Sequence, residues 1–267
     1  MMKYNSALDN LFEQWIDESE RNGEWQSAGR IIFTKDGLLE KNEPADVETL
    51  WHNSHKRILF LIKDQPTEWS DDIRWWLKDR DDDNIEGLAR KKNNRELRSR
   101  FLRNIANVFW GLYHINNPND CEYSKAAESF EDVKRCFNTA PIALMESKKQ
   151  GGKSSISNKT LKTYLDRYKD FLQKELDVLS PNIIVCTNNL IYDFVIGYYN
   201  EKYPGCPLHT LEGHQSIRIH PETKTLIFNS FHPSAHIGYE KFYMGVMDHY
   251  RAFLQSEDFY LFKSLYD

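Results

Sequence analysis

LIFNSFHPSAH at residues 226–236 and ILFLIKDQP at residues 58–66 are the two stretches from which the architecture of this chain can be inferred. Each is a short apolar run that ends abruptly at polar residues and a proline, as does a strand buried on both faces of a parallel sheet. Ligands of open α/β sheets bind at the carboxyl ends of the strands. The pattern therefore predicts one site to which Asp64 and His232 both contribute, although they lie far apart in the sequence.

The other apolar runs complete an alternation of strands and helices. Further strands are predicted at residues 142–145 and 183–187, and a hairpin is predicted to join residues 216–220 to residues 225–229. The helices expected from apolar periodicity span residues 161–179, 190–199 and 242–254. Strands that alternate with helices predict an α/β fold, in which helices cover both faces of a mostly parallel sheet.

Composition predicts a soluble protein. Aromatic residues make up 13% and charged residues 28% of the chain, and no apolar run approaches the ~20 residues that a membrane span needs. The four cysteines form no CxxC pair, so we expect a reduced, cytoplasmic protein without a metal centre. A net charge of −5 argues against indiscriminate binding to nucleic acid, although it leaves room for a local basic patch.

A charged segment between Pro66 and Ala140 interrupts the alternation of strands and helices. It has no low-complexity linker on either side, so it does not mark a second domain. We therefore expect one domain over residues 1–267, with an N-terminal helical extension (about 1–55) and a charged helical insertion (about 67–138).

The expected insertion contains a strongly basic stretch. Residues 90–103 include seven basic residues and one acidic residue, and apolar residues at helical spacing predict one amphipathic helix over about 90–112. The cations form either a solvated face balanced by the acidic run at 79–83, or a surface that contacts the phosphates of a nucleic acid. The residues expected to contact the nucleic acid under the second interpretation are Arg95, Arg98 and Arg103.

A glycine- and lysine-rich loop follows the strand at 142–145. SKKQGGKS, residues 147–154, matches the pattern G-x-x-x-x-G-K-[ST] except at its first position, where Ser147 replaces glycine. The strand at 183–187 also lacks the aspartate that would hold magnesium, so a P-loop phosphotransferase is only the third alternative. A cradle of backbone N–H groups and lysines could still bind an anion. The residues of this expected phosphate site are Lys149, Gly151, Gly152, Lys153 and Ser154.

Asp64 and His232 also have ordinary structural explanations. A lone histidine is usually structural or solvated, and an aspartate after a strand suits a turn or a helix cap. His232, however, precedes Pro233, which restricts the backbone, and Ser234, whose hydroxyl is available to cap or to bind phosphate. The hypothesis depends on the pair at two strand ends and on neither residue alone.

IKDQP after the first strand and FHPSA after the last resemble the two signature loops of the uracil-DNA glycosylase superfamily. The order between them is similar as well: a strand PIALME that leads into a lysine-rich loop, a long helix that ends in Ser-Pro, a strand IIVCT and a hairpin. The resemblance covers about residues 56–255 and implies a three-layer α/β/α sandwich with a central four-stranded, mostly parallel sheet. It also implies base-excision repair of DNA, by hydrolysis of the N-glycosidic bond of a damaged base.

The resemblance assigns roles to individual residues. His232 would donate a hydrogen bond to the departing base as negative charge grows on it, and Asp64 would stabilise the sugar cation or orient water. Ser234 would bind a flanking phosphate, as would Lys153 with its neighbouring glycines. The base must leave the stack to reach such a site, because its glycosidic bond is shielded in a duplex.

Three expected substrate-binding positions depart from the family pattern. Lys63 stands where relatives normally have glycine, and Gln65 stands where the best-known branch has aspartate. Glu146, or Met145 if the register shifts by one, replaces the asparagine that commonly recognises uracil. An ionised glutamate only accepts hydrogen bonds, so a base other than uracil is expected. No cofactor is expected, and the spacing of the cysteines argues against an iron–sulfur cluster.

A non-catalytic nucleic-acid or nucleotide-binding module on the same fold is the leading alternative. Lys63 and Glu146 favour it because they replace residues that contact the base in relatives, whereas Asp64 and His232 favour catalysis. DNA is the expected partner in either case, single- or double-stranded, and no membrane is expected.

Overall fold

The computed structural model describes residues 4–23, 33–43, 46–63, 72–151 and 156–263, and within these ranges seven strands form one sheet. The strands are β1 (Gly37–Leu38), β2 (Ile58–Ile62), β3 (Ala143–Glu146), β4 (Ile183–Cys186), β5 (His209–Leu211), β6 (His214–His220) and β7 (Thr225–Asn229). Their order across the sheet is β1-β3-β2-β4-β7-β6-β5.

The centre of the sheet is parallel and its edges are antiparallel. β3, β2, β4 and β7 run parallel to one another, β1 is antiparallel to β3, and β6 is antiparallel to both β7 and β5. The expected four-stranded sheet is therefore wrong in its strand number, although the four predicted strands are the parallel centre and the β6–β7 hairpin is confirmed. β1 and β5 have two and three residues, so no local periodicity could indicate them.

Helices cover both faces of this sheet. They are α1 (Tyr4–Arg21), α2 (Val47–Asn53), α3 (Ile85–Arg95), α4 (Arg100–His114), α5 (Tyr123–Glu128), α6 (Phe130–Thr139), α7 (Asn158–Arg167), α8 (Lys169–Leu179), α9 (Asn189–Lys202), α10 (Tyr239–Leu254) and α11 (Asp258–Phe262). Among the described helices, none has the length and apolar character that crossing a membrane requires.

Two apolar cores flank the sheet because successive residues of a strand face opposite sides. Phe60 of β2 belongs to the core that α4, α6, α10 and α11 cover. Leu59 and Leu61 of the same strand belong to the core that α1, α2, α7, α8 and α9 cover. Every residue of β2 is buried, as expected of a central parallel strand.

The basic stretch is not one helix, contrary to the expectation from its periodicity. α3 ends at Arg95 and α4 begins at Arg100, and between them Leu97 has a left-handed φ of 52° with its side chain buried in the core. Ser99 caps the new helix by accepting a hydrogen bond from the N–H of Leu102 at 3.2 Å. The helix predicted over 161–179 is likewise divided into α7 and α8, at Tyr168.

Both segments that flank β2 in sequence contribute to the fold itself. The expected helical extension also supplies the edge strand β1, where Gly37 has a φ of +132° and a Cβ would lie 2.5 Å from Leu8 Cδ1. The expected insertion supplies α4 and α6, which form much of one core through residues such as Phe109 and Phe137. The expected insertion therefore forms part of the helical layer on one face of the sheet, together with α10 and α11.

Candidate functional site

His232 and Lys63 lie at the carboxyl edge of the sheet, as predicted. Lys63 directly follows β2, and His232 lies in the loop after β7, with β4 between the two strands. Burial and, after it, the positive charge of Lys63 together lower the pKa of His232 to about 4. The imidazole of His232 is therefore neutral at physiological pH, and the structure brings these two predicted site residues within electrostatic reach of each other.

The hydrogen bonding of His232 fixes its tautomer. The backbone N–H of Ser234 donates to Nδ1 of His232 at 3.2 Å. Because Nδ1 accepts, the single proton of the neutral ring is on Nε2. His232 thus offers one uncharged N–H donor, and Ser234, whose side chain is exposed, follows it on the same loop.

The first turns of α4 hold the His232 loop in place. Asn104, which is buried, donates from Nδ2 to the carbonyl oxygen of Pro233 at 2.7 Å. The ring centroid of Phe101 lies 6.0 Å from that of His232. Neither support was predicted from the sequence, because Phe101 and Asn104 lie in the stretch for which only an amphipathic helix with an apolar face was expected. Asn104, a polar residue on that apolar face, was the signal that could have revealed them.

Glu146 ends β3 at the same edge of the sheet. It pairs in register with Ile62, the last residue of β2, and it is fully buried. Its backbone N–H donates to Oδ2 of Asp36 at 2.6 Å. Strand alternation places Glu146 on the same face as Leu144, which is the face covered by α4.

The strand ends that position these residues form a short row. Neighbouring strands are ~4.8 Å apart, so the ends of β3, β2, β4 and β7 span about 14 Å. Glu146 and His232 stand at opposite ends of this row, and Lys63 stands between them. The arrangement offers a carboxyl group, an ammonium group and a neutral N–H donor within one row of strand ends.

Several predicted residues fall outside the described part of the chain. Asp64 and Gln65 belong to residues 64–71, and Gly152, Lys153 and Ser154 belong to residues 152–155. Their assigned roles in catalysis, substrate binding and phosphate binding stay predictions.

Lys149 has a structural role that opposes its predicted contact with phosphate. Its ammonium group pairs with Asp36 and, at 2.8 Å, with Glu175, and all three side chains are 0% exposed. Burial alone would lower the pKa of Lys149, but the two carboxylates raise it. No external anion can reach this ammonium group, so we correct the assignment of Lys149. Gly151, which ends this part of the loop, is buried as well.

The buried triad contains one carboxyl group more than its single cation can balance. Burial, followed by the neighbouring Asp36, raises the pKa of Glu175 well above its usual value, against the opposing effect of Lys149. Glu175 therefore retains a proton to higher pH than an exposed glutamate does. The triad joins the segment before β1, the loop after β3 and α8.

The three arginines predicted to contact nucleic acid have different surroundings. Arg95 pairs with Asp79 at 2.8 Å, and the guanidinium of Arg103 lies 4.4 Å from the centroid of the Phe130 ring. Arg98 is exposed and has no ion-pair partner within the described ranges. The acidic run thus balances part of the basic stretch, as the first interpretation expected, and leaves Arg98 to solvent.

Comparison of the sequence with family models and with curated proteins found no match. In the part of the chain that the structure describes, no three His, Cys, Asp or Glu side chains are grouped so that they could hold a metal ion. Function is therefore inferred from the geometry at the carboxyl edge of the sheet.

Proposed function

We propose that this chain has a three-layer α/β/α fold similar to that of the uracil-DNA glycosylase superfamily and hydrolyses the N-glycosidic bond of a damaged or deaminated base in DNA. The observation that supports this function is the state of His232. A neutral imidazole, with its proton fixed on Nε2, stands at the carboxyl edge of a parallel sheet. Strand-end loops of this kind are where open α/β sheets bind ligands.

The neutral donor suits the charges that develop during this reaction. When the bond between C1′ of the sugar and the base nitrogen breaks, its electron pair moves onto the base and positive charge develops on the sugar. Nε2–H of His232 stabilises the growing negative charge on a carbonyl oxygen of the base. A protonated imidazole would also repel the sugar cation, whereas the neutral ring does not. Water then adds to C1′ and loses a proton, which balances the proton that the released base anion takes up. We assign the stabilisation of the cation or the orientation of this water to Asp64, which follows Lys63 in sequence.

Glu146 would select the base. An ionised carboxylate accepts hydrogen bonds from N–H groups and repels carbonyl oxygens. An unsatisfied contact of this type costs about 1–3 kcal/mol, so bases with an exocyclic amine should be preferred to uracil. The assignment of Glu146 rests on its position at the end of β3, in register with Ile62, the residue that precedes Lys63.

The test is base release from oligonucleotides that each contain one modified base, followed by strand cleavage in alkali. We expect release of at least one base, and a loss of about 10²–10³ in rate for His232→Ala, as is usual when a charge-stabilising donor is removed. His236→Ala is the matched control, because His236 is exposed on the same loop. Equal rates for His232→Ala and the unaltered protein would contradict the proposal, provided that both have the same thermal midpoint.

A non-catalytic nucleic-acid-binding module is the second candidate. It is favoured by the ammonium of Lys63 at the end of β2, where a close approach of the ligand to the backbone would require a smaller residue. This candidate predicts that oligonucleotides bind but that no base of the panel is released. Binding without release would therefore replace the first proposal by the second.

A further inference from the structure

A cavity of about 210 Å³ lies beside the His232 loop, between α3 and the start of α4. Its walls are Trp76, Arg90, Asn94, Ser99, Phe101 and Leu102. Phe101 separates it from His232, since the Phe101 ring centroid lies 6.0 Å from the ring of His232 and 6.2 Å from the ring of Trp76. The cavity and the proposed catalytic residue thus share one aromatic wall.

We propose that this cavity binds the nucleobase next to the one that is released, in a single-stranded segment of DNA. The inference rests on the proposed function and adds a second base-binding subsite to it. Pockets for drug-sized molecules usually measure about 300–1,000 Å³. The smaller volume here suits one base, with its sugar and phosphate outside.

The walls have the chemistry of a base-binding pocket. Trp76 and Phe101 provide aromatic surfaces, and stacking of one base on such a surface contributes about 1–3 kcal/mol. Asn94 donates from Nδ2 to the carbonyl oxygen of Trp76 at 3.0 Å, which fixes its amide and leaves Oδ1 as an acceptor. Arg90 adds a cationic donor group to the same wall. Oδ1 of Asn94 can accept from an N–H group of a base, and the guanidinium of Arg90 can donate to a carbonyl oxygen or a ring nitrogen on the same edge.

The charge outside the cavity suits a nucleic-acid backbone. Arg98 and Arg100 flank Ser99 in sequence, and both are exposed. Cations at this position can contact the phosphates on either side of the bound base.

The two proposed subsites predict a preference for single-stranded over double-stranded DNA. A base in the cavity cannot remain paired, and each unpaired and unstacked base of a duplex costs a few kcal/mol. Two adjacent bases would have to leave a duplex together, whereas a single strand presents both without this cost. Single strands should therefore be preferred.

The first experiment examines the cavity without requiring catalysis. The ¹⁵N-labelled protein is titrated with adenosine, guanosine, cytidine and uridine, and the indole N–H of Trp76 and the side-chain amide of Asn94 are monitored by NMR. We expect both signals to shift with at least one nucleoside, with affinity reduced at least tenfold in Asn94→Leu. Asn93→Leu is the matched control, because Asn93 is exposed on the same helix. The absence of shifts in the unaltered protein would overturn the inference.

The second experiment examines the flanking base during turnover. The substrates are single-stranded oligonucleotides with a base that the panel of modified bases has shown to be released. Each carries an abasic residue on the 5′ or on the 3′ side of that base. We expect one of these positions to lower kcat/KM about tenfold in the unaltered protein and not in Asn94→Leu. Release that is insensitive to both positions would overturn the inference and leave the proposed function standing. Nucleoside shifts without release of any base would support the cavity and contradict the proposed function.

Discussion

Two basic segments of this chain look alike in sequence and have opposite environments in the structure. The loop after β3 places Lys149 in a fully buried triad with Asp36 and Glu175. The stretch that spans α3 and α4 leaves Arg98 exposed, close in sequence to the proposed base-binding cavity. Both segments were candidates for phosphate contact, and the structure buries Lys149 of the first and leaves Arg98 of the second exposed.

The difference shows that the function of a cation depends on the carboxylates that the fold brings to it. A buried ammonium group loses its hydration and is tolerated only with close partners of opposite charge. Asp36 and Glu175 are these partners for Lys149, at sequence separations of 113 and 26 residues. Such distant partners cannot be recognised from local spacing. The lysines and glycines of the loop after β3, taken without these partners, therefore predicted an anion-binding site.

Of the predicted effects, the largest should be the loss of folding stability when the buried ammonium group of Lys149 is removed. Lys149→Met removes the only cation of the triad and leaves two carboxyl groups in contact with apolar surroundings. We expect the free energy of unfolding to fall by about 3–5 kcal/mol, as measured by urea denaturation. Lys162→Met is the control, since Lys162 pairs with Asp166 at an exposed i,i+4 position and should contribute less than about 0.5 kcal/mol. Equal effects of the two substitutions would show that the triad does not stabilise the fold.

The pH dependence of stability should distinguish the triad from surface ion pairs. The pKa of Glu175 is raised in the folded state, so the folded protein binds more protons than the unfolded chain above about pH 4.3. Stability is therefore lost as pH rises toward the folded pKa, by at most about 1.4 kcal/mol per pH unit. Glu175→Gln should remove this loss, so that the difference from the unaltered protein grows with pH above about 4.3.

Glu201→Gln is the control for this pH effect. Hydrogen bonds from Lys169 and then Gln173 lower the pKa of Glu201, so its contribution is present at neutral pH and is lost as pH falls through the folded pKa. The scan of thermal midpoints must therefore extend below about pH 4.3, the ordinary pKa of a glutamate. Over that range the two substitutions should change the pH dependence of the thermal midpoint in opposite directions. Parallel curves for Glu175→Gln and the unaltered protein would mean that Glu175 is not protonated in the folded state.

The smallest expected effect concerns Arg98, the exposed cation of the second basic segment. Arg98→Glu should weaken binding to single-stranded oligonucleotides of any sequence, because a phosphate contact does not depend on the base. The slope of log affinity against log salt concentration should fall by about 0.7, the value for one phosphate on a single strand. Arg135→Glu is the control, as Arg135 is exposed on α6, which leads into the opposite end of β3. An unchanged slope for Arg98→Glu would assign the basic stretch to a solvated face.

The elements that were predicted well are those with a strong local pattern. The bounds of β2 agree with its apolar run, and α9 and α10 extend the predicted helices by only a few residues. The break at Leu97 was missed because Leu97 and the apolar residues of α4 lie in one core and share a helical spacing in the sequence. In the site, the His232 loop was predicted, whereas its support by Asn104, across 129 residues, was not.

Apolar runs and polar strand ends in the sequence were enough to indicate an α/β fold and to place Lys63 and His232 at one edge, because these signals arise within a few neighbouring residues. The order of seven strands, the burial of Lys149 and the neutral tautomer of His232 came from the folded chain alone. Each of these depends on groups that are distant in sequence and adjacent in space. Burial and charge pairing act over ångströms in space, so they become defined only when the chain has folded.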